Sequence, residues 1–414
     1  MKRRAVITGL GIVSPIGVGV ECFWAAARAG CSGIGYPTLF DASKLPRECQ
    51  IVGEVKDFDV KHWMPGAAGR MAGRFSQFAV AAAKMARDDA RLDTTAIRPE
   101  RILTSIGTSM SGLNDAQESL MRYLRGDIVP PWTVLEFPGH AAASHVAIAS
   151  KGHGQVTAFG TACVAGIDAI AWAAEKIHCG DATVVIAGAT EAPLSESNLE
   201  AFRSLGALSR WQGPPCEASR PFDRMRSGLV LAEGGGMLVV EEEEHAQARG
   251  VYIYARVTGS ASITEARHMR EVDPTGESVA QVLHTAMERA HLSSQDIDYL
   301  CAHGNSLIDY DAAETAGIKR ALGRQASCIP VSSIKSMCGQ ALAASGAMQA
   351  VTACLAIRDS TVPPTINYQY PDPLCDLDYV PNRSRAVRVR NVLIHAQSIG
   401  GSHSALVLSG PGSQ

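Results

Sequence analysis

The chain has no cysteines at metal-binding spacing, no excess of either charge and no long unbroken apolar run. Its eleven cysteines are scattered, with no CxxC and no Cys/His cluster. That excludes a zinc framework and reads as free thiols in a reducing cytoplasm. With 38 basic and 41 acidic side chains the formal charge is −3, which leaves no electrostatic footprint for nucleic acid. Every long apolar stretch is broken by charges or glycines, so no membrane span is expected. The start, MKRRAVITGLGIVSPIG, has the basic head and apolar body of a secretion leader. Gly9, Gly11, Pro15 and Gly17 interrupt it and no A-x-A site closes it, so a strand entering a glycine-rich turn is expected. At 414 residues and 46% hydrophobic, the chain can build a sizeable core and is not expected to be disordered.

Short β-branched runs alternate with alanine-rich helical stretches. RAVITGL, RILTSIGTS, QVTAFGTA, ATVVIAGAT and GMLVVEE read as strands; FSQFAVAAAKMARDDA and GIDAIAWAAEKIHCG read as helices with broad apolar faces. After Glu241–Glu244, a run best read as a solvated strand end and helix start, the pattern begins again. VYIYARVTG, SVAQVLHTAMERA, IDYLCAHG and DAAETAGIKRAL follow in turn, then the closing strands. The expected class is α/β with helix-covered sheets, in two similar halves, residues 1–250 and 251–414. Pro214–Phe222, Pro130–Pro138 and Pro363–Pro381 read as loops, suited to a site mouth or a subunit border.

GTACVAG sets Cys163 between a strand and a long helix. A helix N-terminus favours thiolate, and its free N–H groups suit a thioester oxyanion. Gly160 and Gly166 permit a tight turn and close substrate approach. The alternative is a buried, inert thiol. His303 ends a strand, where α/β sites form, although a structural histidine fits as well. VSSIKSMCGQALAASGAMQA gives a strand, a turn with Lys335, and a small-residue helix with Gln340 near its start. Asp311 and Glu314 share a helix face, and either is placed to pair with Lys335.

Taken together, these segments resemble the β-ketoacyl-acyl-carrier-protein synthase family over essentially the whole chain. The carrying motifs, in family order, are VITGLGIVSPIG, GTACVAGIDAI, ASRPFDRMRSGLVLAEGGGMLVVEE, His268–Met269, AHG at His303, IKSMCGQALAASGA and a closing GG loop. GATEAPLS and PDPLCDLDYVP are closest in look to ketosynthase subunits of bacterial type II polyketide synthases. The resemblance implies a thiolase fold, five-layered α/β/α/β/α, and no cofactor of the chain's own. Substrates would ride on the phosphopantetheine arm of an acyl carrier protein. It implies Cys163 as acyl-accepting nucleophile, with His303, Lys335 and Glu314 at the family's other catalytic positions. The chemistry would be ping-pong: acyl transfer to Cys163, decarboxylation of malonyl carrier protein, and attack of its enolate on the thioester.

Three motifs depart from the family. KSxxGH reads KSMCGQ, so Gln340 stands where a second histidine polarises the malonyl thioester; an amide also donates, neutrally and at every pH. HGTxT reads HGNSL, placing Asn305 and Leu307 where threonines contact pantetheine. GFGG reads SIGG, making the gating residue Ile399, followed by Gly400 and Gly401. His268, Asn305, Leu307, Ile399 and Gly400 are therefore the substrate-binding candidates. A single-step acyltransferase with a non-malonyl acceptor and a silent partner akin to a chain-length factor are the competing readings. A homodimer, or a heterodimer with such a partner, is expected, bordered by IVPPWTVLEFPG with Trp132 near the tunnel end. Arg70 and Arg74, one turn apart at a helix start, are candidates for docking the carrier protein.

Overall fold

The computed structural model describes residues 3–412. Among the described residues the main sheet has eleven strands, ten in one continuous order and the short Gly17–Val18 paired with the first. The first five of the ten are β1 (Ala5–Ser14), β2 (Ile102–Gly107), β3 (Val156–Phe159), β4 (Val184–Glu191) and β5 (Gly234–Glu242). The second five are β6 (Ala255–Thr264), β7 (Tyr299–Cys301), β8 (Val331–Ser332), β9 (Asn391–Gln397) and β10 (Ser402–Ser409). β1 and β6 meet at a seam of only two residue pairs, Val6–Arg256 and Ile7–Ala255. Outward from that seam the order is β1-β5-β4-β2-β3 on one side and β6-β10-β9-β7-β8 on the other. Strand directions repeat as well: two antiparallel pairings, then two parallel ones, on each side.

Seven helices matter here: α1 (Arg74–Asp89), α2 (Leu113–Leu124), α3 (Ala141–Ser150), α4 (Ala165–His178), α5 (Glu277–Arg289), α6 (Ile308–Leu322) and α7 (Ala344–Asp359). α4 and α7 pack on each other and on strands from both sides of the seam; α1 and α3 cover the first five strands from outside, and α5 covers the second five with α6 beside it. This makes five layers, α/β/α/β/α. The central layer is mostly apolar, in keeping with the alanine-rich runs: from Ala344 to Ile357 every residue of α7 is buried.

Several local expectations change. β1 runs straight through Gly9 and Gly11 to Ser14. A Cβ at Gly9 would lie 2.0 Å from the Ala86 carbonyl oxygen and one at Gly11 1.9 Å from that of Ala82, so these glycines let α1 lie on the strand rather than make a turn. The acidic run is only partly solvated: Glu244 is exposed, but Glu241 is fully buried, accepting from Thr8 Oγ1 at 2.7 Å and from Arg249 at 2.9 Å, and Glu243 pairs with Arg256 at 2.7 Å. The Pro214–Phe222 loop lies under the site, not over its mouth. Ser219 donates to the Lys335 carbonyl (2.7 Å), the Arg220 N–H donates to Ser306 Oγ (2.6 Å), and the Phe222 N–H donates to Asp311 (2.8 Å).

β3 is an edge strand, its side chains alternately exposed and half-buried. Near it in sequence, α2 and the segment after it expose Leu120, Met121, Tyr123, Leu124, Ile128 and Leu135.

Candidate active site

β3 ends at Phe159, and the chain then turns through Ala162, whose φ of 54° lies in the left-handed region. Cys163 sits in the single 3-10 turn Ala162–Val164 that leads into α4. Asp168, in the first turn of α4, ties this corner down, accepting from Thr161 Oγ1 at 2.5 Å and from Ser404 Oγ on β10 at 2.6 Å. Neither expected glycine role is seen. Gly160 faces open space, and a Cβ at Gly166 would lie 2.7 Å from the Ala343 carbonyl oxygen, so Gly166 serves the contact of α4 with α7. Cys163 is 7% exposed, within an apolar cluster that includes Leu194, Leu199 and Leu342. Burial pushes its thiol up to about 12, with Lys335 and the Gln340 amide pulling the other way. The expectation of a thiolate at rest is thereby corrected: desolvation outweighs the donors around it.

His303, just past β7, is buried, and burial together with the Lys335 charge holds its imidazole well below the usual value, hence neutral. The Gln397 N–H donates to Nδ1 at 3.3 Å, which leaves the ring proton on Nε2; Asn305 Nδ2 lies 3.1 Å from that nitrogen but is itself a donor, so it is a neighbour and not an acceptor for the proton. Glu314, on α6, accepts the N–H groups of His303 (2.7 Å) and Gly304 (2.8 Å). Lys335 is 1% exposed and burial brings it down to about 8. Neither Glu314 nor Asp311 forms the expected ion pair with it. Its Nζ donates instead to the His303 carbonyl oxygen at 2.6 Å and to Gln349 Oε1 at 3.4 Å, while Asp311 faces Arg226 at 3.7 Å. Lys335 thus fixes the backbone of the histidine and, by its charge, keeps the ring neutral.

Gln340 precedes α7 rather than lying on it. Its backbone is pinned between Val230 and Ala232, its N–H donating to Val230 O at 2.8 Å and its carbonyl accepting from Ala232 at 2.9 Å. Its Oε1 accepts from Ser345 Oγ at 3.0 Å. Its Nε2 is buried with no partner at full hydrogen-bond geometry among the described residues, and it stands beside the Cys163 thiol, on which it acts as a donor and whose pKa it draws down. A buried donor short of a full hydrogen bond in this way is costly unless something fills its place.

A cleft of about 920 Å³ is lined by Leu307, Tyr310, Ile399 and His268 and rimmed by Arg210, Arg267 and Arg270; Cys163, His303 and Gln340 are not among its lining residues. Leu307 also packs against the cluster that holds Cys163. Asn305 is not among the lining residues. It is 4% exposed, its Nδ2 lies beside the His303 ring, and its Oδ1 accepts the Leu307 N–H at 3.0 Å. Gly400 shapes the β9–β10 turn at φ 109°. Arg70 and Arg74 fall in separate helices, Ala67–Met71 and α1. Arg74 is held by Glu233 at 2.7 Å and the Val55 carbonyl at 2.9 Å, so it is not a free docking cation. Sequence reading missed Glu265, Gln349, His395, Gln397 and His403. The signal was a histidine on each strand flanking the GG turn.

Two like-ordered halves of one sheet, folded around a buried helical layer, define a thiolase-fold enzyme. Residues 2–246 match the family model "Beta-ketoacyl synthase, N-terminal domain" and residues 254–369 match "Beta-ketoacyl synthase, C-terminal domain". The tetracenomycin polyketide synthase ketoacyl synthase alpha subunit of Streptomyces glaucescens is 39% identical, over 99% of this chain and 98% of that subunit. The 3-oxoacyl-[acyl-carrier-protein] synthase 2 of Synechocystis is 38% identical over 98% and 97%. Among solved structures, a type II polyketide acyl-carrier protein in complex with its hexaketide-bound ketosynthase superposes with TM-score 0.92 at 36% identity, over 99% of this chain and all of that one. The ishigamide ketosynthase/chain length factor does so with TM-score 0.92 at 31% identity, over the whole of both. The chain belongs to the β-ketoacyl synthase family; it is a ketosynthase of the type II polyketide or fatty-acid kind.

Proposed function

We propose that the chain condenses a Cys163-bound acyl group with malonyl carrier protein, with Gln340 replacing the family's second histidine. The Cys163 sulfur attacks the acyl thioester, and its proton leaves on the pantetheine thiol. Malonyl carrier protein then enters by the same cleft and loses its carboxylate as CO2. The resulting enolate oxygen takes hydrogen bonds from His303 Nε2 and Gln340 Nε2. Its carbon attacks the acyl carbonyl, forming the C–C bond and releasing the Cys163 sulfur, which regains a proton from solvent.

The observation that carries this reading is the Gln340 Nε2 donor, buried beside the thiol with no partner at full hydrogen-bond geometry among the described residues. CO2 release and product formation are to be compared in wild type, Gln340→Ala and Gln340→His. Alanine should slow decarboxylation by roughly 100-fold, the scale of one lost oxyanion donor, and leave acyl loading largely intact. Equal decarboxylation in wild type and Gln340→Ala overturns the role.

Residues 1–250 then supply the nucleophile and residues 251–414 the histidine, lysine and glutamine. The acidic carrier protein docks on Arg210, Arg267 and Arg270 at the cleft rim. A homodimer or a heterodimer with a chain-length-factor-like subunit forms through the edge of β3 and the exposed apolar run that contains Trp132, in keeping with the paired ketosynthase relative. No helix among the described residues is long and apolar enough to cross a membrane. The cytoplasm suits eleven free thiols.

A further inference from the structure

Behind His303, the β9–β10 hairpin carries one buried histidine on each strand. His395 and His403 are at most 1% exposed, and their rings stack at 13° with centroids 5.7 Å apart. They lie in a chain of four groups. His395 Nδ1 is 2.6 Å from Glu314 Oε1, and His403 Nε2 is 2.8 Å from Glu265 Oε1. The two remaining nitrogens, His395 Nε2 and His403 Nδ1, face each other at 3.5 Å.

Counting protons along this chain shows one missing. It has three gaps, each needing a proton to become a hydrogen bond, and two neutral imidazoles bring only two. Glu314 accepts two further backbone N–H groups, and Glu265 accepts that of Asp273 at 3.0 Å. Each carboxylate is then the acceptor for the ring proton that faces it. The facing nitrogens are then two lone pairs. A third proton turns that contact into N–H···N and takes the chain from two negative charges to one.

The chain also connects two places that matter. Glu265 starts the segment carrying Arg267, His268, Arg270 and Glu271, the wall of the cleft, and its own N–H donates to the Gly401 carbonyl at 2.8 Å. Glu314 holds the backbone of His303 and Gly304.

We propose that His395 and His403 share a single added proton and, as positioning residues, clasp the cleft wall at Glu265 to the backbone of His303. This rests on His303 acting in condensation. Other charged groups face the pair. Lys335 lies across the His303 carbonyl, Asp311 lies one turn from Glu314 and is paired with Arg226, and Asp168 reaches Ser404 on β10. Burial is the largest influence on His395 and pushes it below its ordinary value, against the pull of Glu314. The third proton is accordingly taken up on the acid side of neutrality. A clasped wall loses less freedom when a carrier-bound substrate enters, so KM falls as the proton binds.

The test is a pH series from 5 to 8 on the full chain with two readouts. In 15N-histidine NMR, wild type should show uptake of one proton shared by the two facing nitrogens, and His403→Gln should lose that signature. In steady-state assays with malonyl carrier protein, wild-type KM should fall roughly two- to tenfold from pH 7.5 to 5.5, the scale of one net hydrogen bond, with kcat steady. His403→Gln should flatten that profile, and so should Glu265→Gln, which keeps the shape and serves if the first variant folds poorly. Two imidazoles that stay neutral throughout, or the same KM profile in wild type and both variants, overturn the proposal. The NMR titration needs no turnover, so it judges the clasp even if the role given to His303 fails.

Discussion

The turn after the third strand of each set of five carries a residue aimed at the site, and the two turns hold opposite chemistry. After β3 comes Cys163, an uncharged thiol in an apolar cluster at the head of α4; after β8 comes Lys335, a buried ammonium ahead of α7. The two helices pack together in the central layer. Charge follows the same division. Around Cys163 the polar ties are few, whereas around Lys335 a continuous network runs through His303, Glu314, His395, His403 and Glu265. The repeated topology fixes where loop ends converge, and the residues placed there decide which side reacts and which side orients.

The sharpest way to break this comparison is to delete the nucleophile. Cys163→Ala should abolish acyl loading, read by intact-protein mass spectrometry, at a stability cost of about 1 kcal/mol for one buried sulfur. Undiminished loading would overturn the assignment. The other side should respond in reverse, through stability. Glu314→Ala strands the N–H groups of His303 and Gly304 and the His395 ring, and should cost about 3–5 kcal/mol by denaturant unfolding. A loss under 1 kcal/mol would show that the network does not hold the fold.

A pH profile separates the two sides without a mutation. His303 titrates well below its usual range and Gln340 not at all, so decarboxylation should be level from about pH 6.5 to 8. Above about 8, Lys335 gives up its proton and the rate should fall. Gln340→His should add an acid limb near the imidazole value. A wild-type rate that already bends near pH 6.5 would count against the neutral pair of donors. The smallest effect belongs to the surface. Charge reversal at Arg210 and Arg270 should raise the carrier-protein KM a few-fold, more at low salt, while Arg70→Glu should leave it unchanged.

Much of this was legible beforehand because it is local. β1, β4, α1 and α4 follow from β-branched and alanine-rich runs, and Cys163, His303 and Lys335 each stand at a strand end. Three things were not local. The neighbours of Arg74 are Glu233 and Val55, far along the chain, so its apparent freedom was an illusion of sequence. Glu241 looked solvated in its acidic run and proved to be buried against Thr8 on the first strand. Lys335 finds the His303 carbonyl instead of either acid on α6.

The amino-acid order alone determined the alternation of strands and helices, the restart near residue 250, the thiol at a helix start and the amide in place of a histidine, since each depends on residues a few positions apart. Tertiary structure decided the protonation states and partners. Cys163 is a thiol and not a thiolate at rest because the apolar cluster packed around it removes water from it. His395 and His403 meet because β9 and β10 pair in one register. Desolvation and cross-strand geometry belong to the assembled fold, and no stretch of sequence contains them.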